Sequence, residues 1–285
     1  MNIAFFGTPG FVTDFIGTLV AHEYSPTLIV TAPDRPVGRG MVMTAPEPKM
    51  WAEKNNVKCL QPEKLDDAFF AELSKTPWDL FVVVAYGKII PQRVIDLPKY
   101  GTINVHYSLL PKYRGATPTE SAILNGDTVT GVTIQQMVYK LDAGNILAVK
   151  EVPIDPNDTT PTLRDKLNKE ALLLLPETIK NIFAGATNPV VQDESLVTTC
   201  TKISKEMGEL NLADDAVVND RKYRAYFGWP GSFFFKDGKR IKITNAHLED
   251  DPASPLGADK QFVVDEVIPE NGKRMSWQQY QQSIA

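Results

Sequence analysis

Leu80-Phe81-Val82-Val83-Val84 is apolar at every position. A strand of that kind is covered on both faces, which happens almost only where helices flank a parallel sheet. Further short runs, Asn2 to Phe6, Thr27 to Thr31 and Thr102 to Val105, alternate with amphipathic stretches that predict helices from about Phe11 to His22, Pro46 to Asn55 and Thr117 to Leu124. This alternation is the signature of βαβ units, so the fold class is α/β with a mostly parallel sheet. Gly131 to Met137 and Ile146 to Ile154 read as a pair of strands closing that sheet.

The leucine-rich stretch Thr160 to Phe183 has the periodicity of a long helix, with Thr162 to Asp165 resembling a capping pair. Ala184 to Val191 holds the breakers Gly185, Asn188 and Pro189, suited to a connector. Beyond it, Ser232 to Phe235 and Arg240 to Asn245 alternate around Asp237-Gly238, a hairpin signal. The expected layout is therefore a large domain over residues 1–184, a linker over 185–204 and a small β-rich domain over 205–285. A chain of 285 residues is long enough for one large and one small domain.

Composition narrows the function classes. The 43% hydrophobic and 23% charged residues match globular averages, and no run reaches the roughly 18 apolar residues of a membrane span. Met1 leads straight into Ile3-Ala4-Phe5-Phe6 without a basic leader, so a cytoplasmic protein is expected. A net charge of -5 argues against a protein that binds nucleic acid simply by being basic, leaving any RNA contact to local patches. Cys59 and Cys200 lie far apart with no CxxC or histidine spacing, which predicts idle thiols and no metal site.

Two segments carry candidate chemistry. Gly7-Thr8-Pro9-Gly10 follows the first strand and opens the first helix, but it lacks the third glycine of GxGxxG and Pro9 removes an amide, so a tight turn explains it better than a dinucleotide site. Asn104 to Pro111 follows a strong parallel strand, at the strand end where open α/β sheets bind ligands. Asn104 and His106 are two apart, and on extended backbone they share a face. An amide beside an imidazole can polarise a carbonyl and move a proton; taken alone, the pair could equally be a structural network. Asp142, in the turn Leu141-Asp142-Ala143-Gly144, supplies a carboxylate that could hold His106 or a water.

Asn-x-His-x-Ser-Leu-Leu-Pro, followed some thirty residues later by Leu-Asp-x-Gly, resembles the folate-dependent formyltransferase family. The resemblance implies a Rossmann-like N-terminal formyltransferase domain, a C-terminal domain like an OB barrel, and 10-formyltetrahydrofolate as co-substrate with no metal. It implies that Asn104, His106 and Asp142 are the catalytic trio, that Ser108, Leu109, Leu110 and Pro111 lie against the folate, and that Gly87 and Ile89 join them. Pro33 to Gly40, Val82 to Pro91, Lys202 to Glu206 and Arg224 to Gly231 resemble the branch of that family acting on initiator methionyl-tRNA, with Arg35 and Arg39 reaching the acceptor end. A monomer is expected. The chain departs from the pattern at Met41-Val42-Met43, where lysines are usual, at Tyr107 in place of glycine and at Asn145 in place of aspartate. The C-terminal part is not basic, with 12 Lys+Arg against 13 Asp+Glu from Thr201 to Ala285.

The nearest alternative is a formyltransferase for an amino sugar nucleotide or another small amine, which would need neither the arginine loop nor a second domain. A nicotinamide dehydrogenase would explain the sheet but not the trio. A catalytically silent binding module would leave the trio without a purpose.

Overall fold

The computed structural model describes residues 1–38, 40–250 and 259–284. Its elements are, in chain order, β1 (Ile3–Gly7), α1 (Val12–Ala21), β2 (Leu28–Val30), β3 (Arg35–Val37), β4 (Val42–Thr44), α2 (Glu47–Lys54), β5 (Lys58–Leu60), α3 (Asp67–Leu73), β6 (Leu80–Val84), α4 (Gln92–Ile95), β7 (Thr102–His106), β8 (Arg114–Gly115), α5 (Pro118–Asn125), β9 (Val129–Gln136), β10 (Ile146–Pro153) and α6 (Thr160–Phe183). They continue with β11 (Thr199–Cys200), α7 (Ala216–Ala225), β12 (Phe233–Lys236), β13 (Lys239–Asp250), β14 (Lys260–Pro269), β15 (Met275–Ser276) and α8 (Trp277–Ile284). Two compact units result, one of residues 1–116, 131–152 and 167–199, the other of residues 117–130, 153–166 and 200–285.

The first unit holds a seven-stranded sheet ordered β10-β9-β7-β6-β1-β2-β5. β1 pairs in parallel with β2 and β6, β2 with β5, and β6 with β7, whereas β9 runs antiparallel to β7. Every residue of β1 and β6 is buried, as strands covered on both faces require. Ala4, Phe6, Phe81 and Val83 pack on one face with Phe69, Leu73, Trp78 and Tyr86. The chain winds outward from β1 through β2 to β5 and then returns to β6 on the other side of β1, so the strand order reverses between β1 and β6. Ligands of open α/β sheets bind beyond the carboxyl ends of strands at such a reversal.

The predicted helices and strands are all present, and the structure adds others, among them β5, α3 and α4 before β7 and α7, β14 and α8 after residue 200, none of which the sequence reading named. β5, α3 and α4 are only three, seven and four residues long, too short for a clear periodic signal. The segment read as an arginine loop is a two-stranded ribbon in which Arg35 pairs with Thr44 and Val37 with Val42. The cap of α6 sits three residues earlier than the Thr162 to Asp165 reading: the Thr162 hydroxyl accepts from the Thr159 amide at 2.9 Å and donates to Asp158 at 2.9 Å. Within α6, Leu163, Leu167, Ala171, Leu175 and Ile179 are buried at four-residue spacing, the stripe expected of an amphipathic helix.

The Glu47 carboxylate lies against Gly10, in the space a Cβ there would occupy. That carboxylate lies at the start of α1, where the helix dipole favours negative charge, so the chain itself takes the place a dinucleotide phosphate would need.

The second unit contains the antiparallel sheet β12-β13-β14-β15. Phe233 pairs with Lys242 and Lys236 with Lys239, which puts Asp237-Gly238 at the hairpin turn as the sequence predicted. Tyr223 of α7 and Tyr280 of α8 join Phe234, Ile241, Ile243, Val264 and Val267 in its core. Among the described residues no helix is long and apolar enough to cross a membrane.

Candidate active site

β7 ends in Asn104-Val105-His106, and its antiparallel neighbour β9 places Gln135 opposite Asn104 and Thr133 opposite His106. Residues opposite one another on adjacent strands share a face. That face is polar inside an otherwise apolar sheet: His106 is 5% exposed, Gln135 1% and Thr133 0%. Asn104 is half-buried, and among the described residues its side-chain amide makes no hydrogen bond.

His106 Nε2 lies 2.9 Å from the Tyr113 carbonyl. A carbonyl only accepts, so Nε2 carries a proton. Nδ1 then faces Asp142, at 3.7 Å from Oδ1. This is ion-pair range and longer than a hydrogen bond.

Asp142 is held by donors from two directions. The Gly115 amide donates to Oδ2 at 2.9 Å and Gln135 Nε2 donates to Oδ1 at 2.8 Å. Its backbone is left-handed, with φ of 49°. Gly144, two residues on, is fixed by close packing, because a Cβ there would lie 1.5 Å from the Gln136 carbonyl oxygen. Glycine alone fits there.

The loop Ser108 to Pro111 is tied to the same strands. The Thr133 hydroxyl donates to the Ser108 carbonyl at 2.7 Å and accepts from the Leu110 amide at 3.2 Å. The Ser108 hydroxyl donates to the Lys112 carbonyl at 2.6 Å, and the Leu110-Pro111 peptide is cis. Leu109 packs beside Gly131, where any side chain would collide with it. A ligand would therefore meet a preformed wall. Gly87 and Ile89 follow β6 on exposed backbone, with Ile89 78% exposed. Thr8, at the end of β1, donates its hydroxyl to the Tyr86 carbonyl at 3.3 Å across the point of strand reversal.

Arg35 is exposed on β3. Beneath it Asp34 accepts from Lys49 at 2.8 Å and from Gln61 at 2.7 Å, which anchors the foot of the ribbon. The same two bonds hold the Asp34 carboxyl below its ordinary range, Lys49 first. Arg39 lies outside the described residues. Cys59 is partly buried, and burial pushes its thiol up to about 11, which leaves little thiolate to react.

The structure thus brings Asn104, His106, Asp142 and the Ser108 to Pro111 loop together at the end of β7. Gln135, Thr133, Gly115 and the Tyr113 carbonyl belong to the same site and were not read from the sequence. Thr133 and Gln135 had a usable signal, being polar residues two apart in a strand otherwise buried. Gly115 and Tyr113 had none.

The family model described as Formyl transferase matches residues 1–179, and that described as Formyl transferase, C-terminal domain, matches residues 202–258. A methionyl-tRNA formyltransferase of Caldicellulosiruptor saccharolyticus is 41% identical over 246 residues, covering 85% of this chain and 78% of the relative. One from Macrococcus caseolyticus is 39% identical over 269 residues, covering 92% of this chain and 86% of the relative. Among solved structures, the N-formyltransferase of Helicobacter canadensis in complex with folinic acid and dTDP-3-aminofucose superposes with a TM-score of 0.68 at 18% identity, over 89% of this chain and 90% of that one. At that identity the likeness establishes the fold alone.

Proposed function

The chain belongs to the formyl transferase family, and from that premise we propose that it transfers the formyl group of 10-formyltetrahydrofolate to the free amine of initiator methionyl-tRNA. The observation that carries this reading is the convergence of an unengaged amide on Asn104, an imidazole on His106 and a carboxylate on Asp142 at one strand end, in a chain about 40% identical to methionyl-tRNA formyltransferases over most of its length.

The amine nitrogen attacks the formyl carbon, the carbonyl oxygen becomes an oxyanion, and the bond from carbon to N10 of the folate breaks as N10 receives a proton. Asn104 donates to the developing oxyanion, a role that can contribute roughly 3 to 4 kcal/mol. His106 takes the amine proton on Nδ1, because Nε2 keeps its own proton on the Tyr113 carbonyl. It then passes that proton toward N10. Asp142, 3.7 Å away, balances the charge the imidazole carries in between. Ser108 to Pro111, Gly87 and Ile89 form the folate wall. Arg35 and Arg39 meet phosphates of the acceptor stem, and residues 205–285 contact the tRNA body.

The test is incorporation of labelled formyl from 10-formyltetrahydrofolate into charged initiator tRNA, with a panel of amino sugar nucleotides as the competing arm. Incorporation into the tRNA alone supports the reading. Incorporation into an amino sugar with none into tRNA would move the assignment to a small-amine formyltransferase.

A further inference from the structure

The stretch following Val190 is built into the wall of the site. Ile146 and Val190 exchange backbone hydrogen bonds at 2.8 Å each, the Arg114 amide donates to the Thr198 carbonyl at 2.9 Å, and the Tyr113 amide donates to the Thr198 hydroxyl at 2.8 Å. Between these anchors Gln192 is buried, at 5% exposure. Its Nε2 donates to the Asp142 carbonyl at 2.8 Å and to the Gly144 carbonyl at 2.6 Å. Its Oε1 accepts from Arg114 Nε at 3.0 Å. A guanidinium has no acceptor, so Arg114 dictates which way the amide points, and both N–H groups are committed to the turn.

We propose that Gln192 is a positioning residue for formyl transfer, clamping the 142–144 turn so that the Asp142 carboxylate stays beside His106. The inference rests on the assignment of Asp142 to the reaction. Asp142 is left-handed at φ of 49°, a conformation that residues with a Cβ avoid unless surrounding bonds impose it. Relaxation of that backbone angle would swing the carboxylate away from Nδ1. Gln192 grips the carbonyls of residues 142 and 144, on either side of Ala143, and so opposes the relaxation. The orienting cation is itself secured: Arg114 is 4% exposed and pairs with Glu194 at 2.8 Å. Arg114 and Lys140 together hold the Glu194 carboxyl down to about 2, so that partner stays ionised.

The test uses the full chain with Gln192→Glu, Gln192→Met, Asp142→Asn and the double variant Gln192→Glu/Asp142→Asn. Gln192→Glu keeps an acceptor for Arg114 but turns a carboxylate oxygen toward the two carbonyls. The expected result is a fall in kcat of roughly 10- to 100-fold with KM for both substrates within about threefold, since small displacements of a catalytic group cost on that scale. On the Asp142→Asn background the same substitution should cost no more than about twofold further, as expected of residues acting through one another. Wild-type kcat in Gln192→Glu would overturn the proposal and leave Gln192 as the mere partner of Arg114; so would a loss that multiplies fully with that of Asp142→Asn. If Gln192→Glu does not fold, Gln192→Met, which removes the donors without adding charge, is read against the same criteria. Wild-type kcat in Asp142→Asn overturns the role of Asp142 itself, an outcome distinct from a failure confined to Gln192.

Discussion

Gln135 on β9 faces Asn104 on β7 directly across the sheet, and its amide reaches the Asp142 carboxylate at 2.8 Å. The strand pairing therefore links the candidate oxyanion donor to the candidate counter-charge through a single side chain. The Asp142 carboxylate has its two oxygens taken by Gly115 and Gln135, and only Oδ1 also faces His106.

For Asp142→Asn the expectation follows from that arrangement. A carboxamide offers one acceptor where two donors must be met, so either the Gly115 or the Gln135 bond is lost along with the charge beside His106. Turnover should drop by roughly 100-fold or more. Steady-state kinetics with saturating folate and amine decide it, and near-normal turnover would make Asp142 a structural residue.

Asn104→Ala and His106→Ala should each lower kcat by roughly 100-fold, as is typical for oxyanion and acid-base groups. Their effects on stability should differ. Asn104 has no side-chain hydrogen bond among the described residues, so its loss should change unfolding free energy by no more than about 1 kcal/mol. His106 is buried and bonded to Tyr113, so its removal should cost about 2 kcal/mol or more. Denaturant unfolding beside the kinetic assay separates the two; equal stability costs would contradict the hydrogen-bond assignment.

Arg35 projects from an exposed ribbon whose other exposed side chains include Val37, Met41, Val42 and Met43. Replacement by alanine should raise KM for charged tRNA and flatten its dependence on salt, because each phosphate contact releases condensed counterion. KM for the folate should not move. Superimposable salt curves for wild type and Arg35→Ala would reduce the ribbon to an ordinary surface feature.

His247 on β13 sits between Asp265, 2.9 Å from Nδ1, and Glu249, 3.3 Å from Nε2. Those hydrogen bonds, Asp265 first, raise the imidazole above its ordinary value of 6.5. A raised histidine contributes stability that is present in full below its unfolded value and lost as pH rises through the folded one. The melting temperature of wild type relative to His247→Ala should thus be higher at about pH 5.5 than at about pH 8.5, by a small margin because the site is exposed. A difference that is flat with pH, or of the opposite sign, would refute the pairing.

The linear chain by itself determined the parallel sheet, since Leu80 to Val84 can be buried on both faces in few other ways. It also determined the shared face of Asn104 and His106, because side chains alternate along any extended strand. The hairpin at Asp237-Gly238 was legible for a similar reason, turn chemistry being local. Relations over long sequence separations came from folding alone. Gln192 meets the Asp142 carbonyl 50 residues away and Tyr113 meets Thr198 at a separation of 85, neither marked by any local pattern. The same holds for the left-handed turn at Asp142, which an aspartate does not prefer unaided and which the bonds from Gln192 and the close approach of Gly144 to Gln136 impose. Local periodicity encodes which face a residue occupies, whereas the orientation of a carboxylate to within an ångström depends on partners that folding alone brings together.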